Sequence, residues 1–330
     1  MEKISTMDLV TVDIGGTHAR FALAQIMNDG TIEIDEPETL ETSDHASFQT
    51  AWEDFSVRKG GSLPAKVAMA VAGPVKNDLI RFTNNPWIIR PPLIRDKLGC
   101  EKYTIVNDFA AVAHAAARAS DQQFLHLAGP DIPFPNKGTI SVVGPGTGLG
   151  VAYFYRESLG DYRVQSTEGG HGDYAPLDSI EDAILSHLRK RHNRVSDERV
   201  VSGPAIIDIY QTLAGLEHRS IEPDLDDKEI WARGISGKDS IAAAAIDRFC
   251  LALGSIAGDI ALVQGASGVV IAGGLGFRIR DALVASGFAE RFSSKGRFSG
   301  MMGEIPVKLI VHPQPGLYGA AAAFAREHLR

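Results

Sequence analysis

Two stretches of this chain share a layout that few folds can use: an apolar run, a glycine-rich turn and a second apolar run. In the first, residues 9–12 and 21–26 flank Asp13-Ile14-Gly15-Gly16-Thr17. In the second, residues 139–143 and 151–155 flank Gly144-Pro145-Gly146-Thr147-Gly148-Leu149-Gly150. Read as a hairpin, the paired glycines supply the positive φ angles of a tight turn. Read as a ligand site, glycines let backbone N–H groups approach a polyphosphate. Thr17 then adds a donor, and Asp13 can face a metal held by the phosphates. The repetition of the layout predicts two related lobes, each offering a glycine turn.

The remaining pattern fits a sheet covered by helices. Residues 66–72 form a continuous apolar run ended by Gly73-Pro74, which suits a strand buried on both faces. Residues 45–59 carry Phe48, Trp52 and Phe55 at helical spacing and stop at Gly60-Gly61. Residues 31–40 read as an edge strand. Residues 103–106 read as a strand followed by Asn107-Asp108 and an Ala-rich helix over 109–118. The Pro- and Gly-rich residues 129–138 read as a linker. Beyond Gly172 the periodicity predicts helices over 179–191, 204–216 and 240–264, strands over 268–272 and 305–311, and a closing helix over 316–329. Strands mixed with crossover helices point to α/β architecture. A length of 330 residues favours two domains.

Composition excludes several classes. A net charge of -8 argues against a nucleic-acid partner. The two cysteines, Cys100 and Cys250, lie far apart without a CxxC, which fits a reducing cytoplasm. No apolar run is expected to reach the length of a membrane span.

Four glycine elements sit at strand ends: Asp13 to Thr17, Gly144 to Gly150, Gly273-Gly274, and Pro315-Gly316 with Gly319. Ligands bind at strand ends in α/β sheets. None of the four is a Walker A loop, and the Gly144 turn leads into a strand rather than the helix of a dinucleotide fingerprint. Asn107 and Asp108 open a helix, so either residue suits an N-cap. Glu168 and His171 flank Gly169-Gly170, with no further Cys or His to complete a zinc site. Arg189-Lys190-Arg191-His192 reads as a solvated helix end, and Trp52 and Trp231 read as core.

The order of these motifs resembles the sugar-kinase, actin and heat-shock ATPase superfamily. Thr83-Asn84-Asn85-Pro86-Trp87, Glu168-Gly169-Gly170-His171 and Glu198-Arg199-Val200-Val201-Ser202-Gly203-Pro204 narrow the resemblance to the bacterial glucokinase family. It runs from Asp13 to the Pro315-Gly316 helix. The resemblance implies a two-lobed actin-like ATPase (ribonuclease H-like) fold, with mixed sheets covered by helices. It places residues 1–118 plus 312–330 in a small α/β domain and residues 119–311 in a larger, helix-rich one. It implies transfer of the γ-phosphate of ATP to the 6-hydroxyl of glucose, with Asp108 as general base and the lobes closing on the sugar. Asn84, Asn107, Asp108, Glu168, His171 and Glu198 match sugar contacts. Asp13, Ile14, Gly15, Gly16 and Thr17 with Gly146, Thr147 and Gly148 match the phosphate turns, and Gly273 and Gly274 match the turn against adenosine. Asp13 further matches the acid that orients Mg²⁺ through water, and the family analogy implies a homodimer. An ATP-dependent kinase of another hexose, or a non-catalytic sugar sensor, would use the same fold; the Asn107-Asp108 pair argues against the sensor.

Overall fold

The first apolar run becomes β1 (Met7–Ile14), whose residues from Leu9 to Val12 are all buried. In this computed structural model, which describes residues 6–75, 78–82, 85–158 and 160–329, the chain forms two units. One holds the residues up to Ala119 together with those from His312 onward; the other is Ser120–Val311.

In the first unit β1 runs antiparallel to β2 (His18–Ile26), in register from Met7 with Ile26 to Ile14 with Ala19. The expected third strand is two: β3 (Ile32–Ile34) and β4 (Glu38–Glu41), both antiparallel to β2. Pro37 lies between them, and its missing N–H and fixed φ interrupt a ladder. Helix α1 (Phe48–Arg58) starts at a capping box of Ser47 and Thr50. It buries Phe48 and Phe55 against Phe21, at ring-centroid distances of 6.0 and 5.2 Å. Next come β5 (Lys66–Val71), the short pair β6 (Ile80–Arg81) and β7 (Ile88–Ile89), helix α2 (Ile94–Leu98), β8 (Lys102–Asn107) and α3 (Asp108–Arg118). The sheet order is β3-β2-β1-β5-β8, with β1, β5 and β8 parallel.

The second unit opens with β9 (Phe124–Ala128), then β10 (Gly138–Pro145), β11 (Leu149–Ser158) and β12 (Asp161–Thr167). Residues 129–138 are therefore not a linker between units. They join β9 to β10, and Phe134 among them is buried edge-on against Phe124, 5.4 Å between centroids. Helices α4 (Ser179–Arg189), α5 (Ile206–Leu216), α6 (Asp227–Ile235) and α7 (Ser240–Gln264) precede β13 (Ala266–Ile271). Four short helices, α8 (Gly274–Arg278), α9 (Arg280–Ala285), α10 (Phe288–Ser293) and α11 (Ser299–Gly303), lead to β14 (Val307–Ile310). The sheet order is β12-β11-β10-β13-β14-β9. An antiparallel meander followed by two parallel strands thus recurs in both units, so the repeat seen in the glycine turns is a repeat of topology.

At 25 residues α7 is long and apolar enough to cross a membrane, contrary to expectation. Its most apolar window is 72% buried, which marks it as the core helix of its unit. Cys250, Leu253 and Ala257 on it are completely buried.

The closing helix α12 (Pro315–His328) belongs to the first unit, where it packs on α3 and across β1, β5 and β8. Its approach to α3 is closest at Gly319, where an added Cβ would overlap the carbonyl oxygen of Ala111. Gly319→Ala is accordingly expected to destabilise the unit by about 1–3 kcal/mol, the usual cost of overpacking. Urea denaturation reads this as a lowered midpoint; an unchanged midpoint would mean the two helices are not pressed together at Gly319.

Candidate functional site

Ile14, Val71 and Asn107 stand level across β1, β5 and β8, at the C-terminal ends of three parallel strands. The first unit gathers its expected site residues there. The turn after β1 closes through a hydrogen bond from the Gly15 amide to the His18 carbonyl, 2.9 Å. Neither Gly15 nor Gly16 takes a left-handed φ, so the turn does not use the glycines for that freedom. Thr42 Oγ1 donates to the carbonyls of Gly16 and Thr17 at 3.0 and 3.1 Å, and Asn85 Nδ2 donates to that of Gly15 at 3.2 Å. With those carbonyls tied back, Gly16 and Thr17 form the tip, and the Thr17 side chain is exposed. The Ile14 side chain is completely buried, so it can reach a ligand only through its backbone. Asn84 lies outside the described residues. Thr42 and Asn85 escaped the sequence reading; the doubled Asn84-Asn85 was the available signal.

Of the two residues that suit an N-cap, Asn107 takes the part. Asn107 is the N-cap of α3, its Oδ1 accepting from the amides of Phe109 and Ala110 at 3.0 and 3.1 Å. Asn107 Nδ2 donates to Asp108 Oδ1 at 2.9 Å, and the Phe109 amide donates to the same oxygen at 2.8 Å. Both bonds fall on Oδ1, and no partner for Oδ2 is found among the described residues. Burial pushes the Asp108 carboxyl up to about 6, aided by the nearby negative charge of Asp13 and opposed by its hydrogen bonds to Asn107 and to the backbone amides of Phe109 and Asp108. Burial also raises the pKa of Asp13, against the attraction of Arg20 at 3.7 Å. The Asp13 side chain keeps 23% of its surface accessible and lies against Gly316, where a Cβ would meet its Oδ2 at 2.5 Å.

In the second unit, β10 and β11 pair up to Pro145 with Leu149 and leave Gly146-Thr147-Gly148 as the turn. The Gly146 amide donates to the Gly148 carbonyl at 2.8 Å, and the Gly203 amide donates to the Gly146 carbonyl at 2.7 Å. Glu198 reaches the base of this turn: its Oε2 accepts from the Leu149 amide at 2.9 Å, and a Cβ on Gly148 would overlap it. Gly273, at a φ of 90°, packs on the Pro145 carbonyl, with a hypothetical Cβ only 2.7 Å away. Here a glycine is required. Glu168 and His171 bracket a single 3₁₀ turn after β12 and are both exposed. This turn rests on the hairpin, because Gly170 has no room for a Cβ against the Leu149 carbonyl. The Asp197 amide donates to the Gly172 carbonyl at 2.9 Å, and Arg194 donates to the His171 carbonyl. The structure thus brings together Gly146, Thr147, Gly148, Glu168, His171, Glu198, Gly273 and Gly274.

A hard divalent cation fits the first unit's oxygens. Among the described residues no cluster of three or more His, Cys, Asp or Glu side chains could hold a metal by itself. Mg²⁺ does not need such a cage, since it keeps several waters and takes one or two carboxylates plus phosphate oxygens. The accessible Asp13 carboxylate supplies that kind of ligand.

Two topologically matched units, each with a glycine turn at the end of its central strand, define an actin-like ATPase fold equipped for phosphoryl transfer. The model of the family described as Glucokinase matches residues 10–327. A glucokinase of Zymomonas mobilis subsp. mobilis is 51% identical over 98% of this chain and 99% of its own. One of Caulobacter vibrioides is 40% identical over 96% of this chain and 94% of its own. The crystal structure of a glucokinase from an Antarctic psychrotroph superposes with a TM-score of 0.84 at 34% identity, covering 97% of this chain and 99% of that one. The chain belongs to the glucokinase family.

The raised Asp108 pKa has a consequence for stability. The folded chain binds a proton at Asp108 up to about pH 6, whereas an unfolded aspartate releases it near 3.8. Stability therefore falls as pH rises between these values. Asp108→Asn removes this loss. The variant is expected to melt higher than the parent above pH 6 and to converge with it below pH 4, as thermal melts across that range would show. A constant difference at all pH values would refute the assignment.

Proposed function

We propose that the chain transfers the γ-phosphate of ATP to the 6-hydroxyl of glucose, with Asp108 as general base. The observation that carries this reading is the half-bonded Asp108 carboxyl, with Oδ1 fixed by Asn107 and the Phe109 amide and Oδ2 left to accept a proton. A carboxyl near 6 is ionised at neutral pH yet basic enough to take the hydroxyl proton as the oxygen attacks.

The remaining roles follow from chemistry. Phosphoryl transfer depends on positioning and on neutralising charge on the γ-phosphate oxygens. Gly15, Gly16 and Thr17 in one unit and Gly146, Thr147 and Gly148 in the other would hold phosphates, and Gly273-Gly274 would lie against the adenosine. Mg²⁺, oriented by Asp13 through water, would supply the charge neutralisation. Glu168, His171, Glu198 and Asn107, with Asn84, would pair the sugar hydroxyls, because each polar group buried on binding needs a partner. The proposal includes a homodimer and a cytoplasmic setting, which suits the two buried free thiols Cys100 and Cys250. It also treats residues 1–118 plus 312–330 and residues 119–311 as separate lobes.

Asp108→Ala is expected to lower kcat by about 10²–10⁴-fold, the usual contribution of a general base. A coupled assay of ADP release reads this, with glucose preferred over fructose, mannose and amino sugars in the same panel. Near-normal turnover in the folded variant would remove Asp108 as base, and preference for another sugar would replace the substrate.

A further inference from the structure

Trp231 was read from sequence as core, and it is 1% exposed on α6. Its indole is nonetheless the buried end of a chain of hydrogen bonds that leads to the glycine turn of the second unit. Trp231 Nε1 donates to the Gly203 carbonyl at 3.0 Å. The Gly203 amide donates in turn to the Gly146 carbonyl at 2.7 Å, and the Gly146 amide closes the turn on the Gly148 carbonyl at 2.8 Å. The contact at Gly203 is tight as well as bonded, since a Cβ there would lie 3.1 Å from the Gly146 oxygen.

The indole is itself held by two neighbours. Phe249 of α7 meets it edge-on, 5.1 Å between centroids at 88°, and the Arg278 guanidinium lies 5.9 Å from the ring. Gly203 ends a short segment that starts at Glu198, whose Oε2 accepts from the Leu149 amide beyond the same turn. Between them Val200 and Val201 are buried at 1% and 0% exposure. The segment from Glu198 to Gly203 therefore clamps both sides of Gly146-Thr147-Gly148, and Trp231 fixes its far end.

We infer that Trp231 is a positioning residue for the phosphate donor, setting the shape of the Gly146-Thr147-Gly148 turn through Gly203. The inference rests on the reading that this turn receives ATP phosphates. Removing the indole N–H leaves the Gly203 carbonyl with only the long 3.5 Å contact from the Ile206 amide, and the loss passes to the one bond Gly203 makes with the turn. Packing alone would predict a different outcome, in which loss of aromatic contact lowers stability and leaves substrate affinities in proportion.

The test compares Trp231→Phe with Phe249→Leu, which disturbs the same ring pair but no hydrogen bond. In Trp231→Phe the KM for ATP is expected to rise about tenfold, the effect of one buried hydrogen bond, with the KM for glucose changing less than about twofold. Phe249→Leu should lower the melting temperature without that split. Should Trp231→Phe fail to fold, Trp231→Met also lacks a hydrogen-bond donor and is expected to show the same rise. Thr147→Glu tests the underlying reading, because a negative charge at the turn tip must weaken ATP if phosphates bind there. A strong Thr147→Glu effect with KM for ATP unmoved in the Trp231 variants overturns the positioning role alone. An inert Thr147→Glu overturns the phosphate reading of the turn and the inference with it.

Discussion

The first unit depends on a contact between the two ends of the chain. Thr11 on β1 donates its buried hydroxyl to the Leu317 carbonyl of α12 at 2.7 Å. Around that bond Ala320, Ala321, Ala322 and Phe324 pack into one cluster with Leu9, Ala24, Ala68, Ala70 and Ala111. Small side chains on both surfaces let the helix lie close to the sheet and to α3. A core of this kind cannot close until the last helix has been made, so the unit combines the earliest and latest parts of the chain. The same approach sets Gly316, in the first turn of α12, against the Asp13 carboxylate. Burial there raises the proton affinity of Asp13, and the Arg20 guanidinium offsets part of that rise.

Capping at the start of α3 has a similar double effect. A helix whose first residue is a carboxylate would ordinarily spend that carboxylate on its own amides. Here Asn107 takes the two orphan amides, and Asp108 gives up only one oxygen. Asn107 also uses its amide nitrogen to hold that oxygen, so the carboxyl is oriented without being neutralised. Its elevated proton affinity then comes from burial and from Asp13 rather than from a strong partner. Two adjacent residues of ordinary helix-start type thereby become a fixed frame and a basic oxygen.

Much of this was legible in the chain because the strongest signals were long or repeated. The 25-residue α7 has its predicted bounds, and both glycine hairpins stand where apolar runs flank them. What escaped was set by tertiary packing. Helices α8 to α11 run only five or six residues each and lack a clear period, yet Leu275, Leu283, Phe288, Phe292 and Met302 bury one face of each. The linker reading of residues 129–138 failed because turn-rich composition marks a connection without saying which elements it connects. The glycines of the first turn were credited with positive φ, whereas Gly273 is the one that needs it. Asn85 was passed over because nothing in an Asn-Asn pair shows which side chain will face the Gly15 carbonyl. The role of Trp231 lay in one indole nitrogen, and burial patterns do not register a single donor.

The two units share a strand order but not a charge pattern, and the difference argues for a division of labour. In the first, Asp13 stands one residue before the last ladder pair of the central hairpin, and the helix after β8 begins with Asp108. The matching place in the second hairpin is Gly144, and its β14 runs on into α12, which begins with Pro315 and belongs to the first unit. Carboxylates therefore gather at strand ends in one unit and are missing from the matching ends of the other. The negative charge of Asp13 raises the proton affinity of Asp108, an effect the second unit's matching ends lack. The second unit keeps its turn uncharged and places its carboxylates beside it, on the segments carrying Glu168 and Glu198. One of these, Glu198, is bonded to the turn's own backbone. The two glycine turns thus share a topology and differ in the acids placed around them.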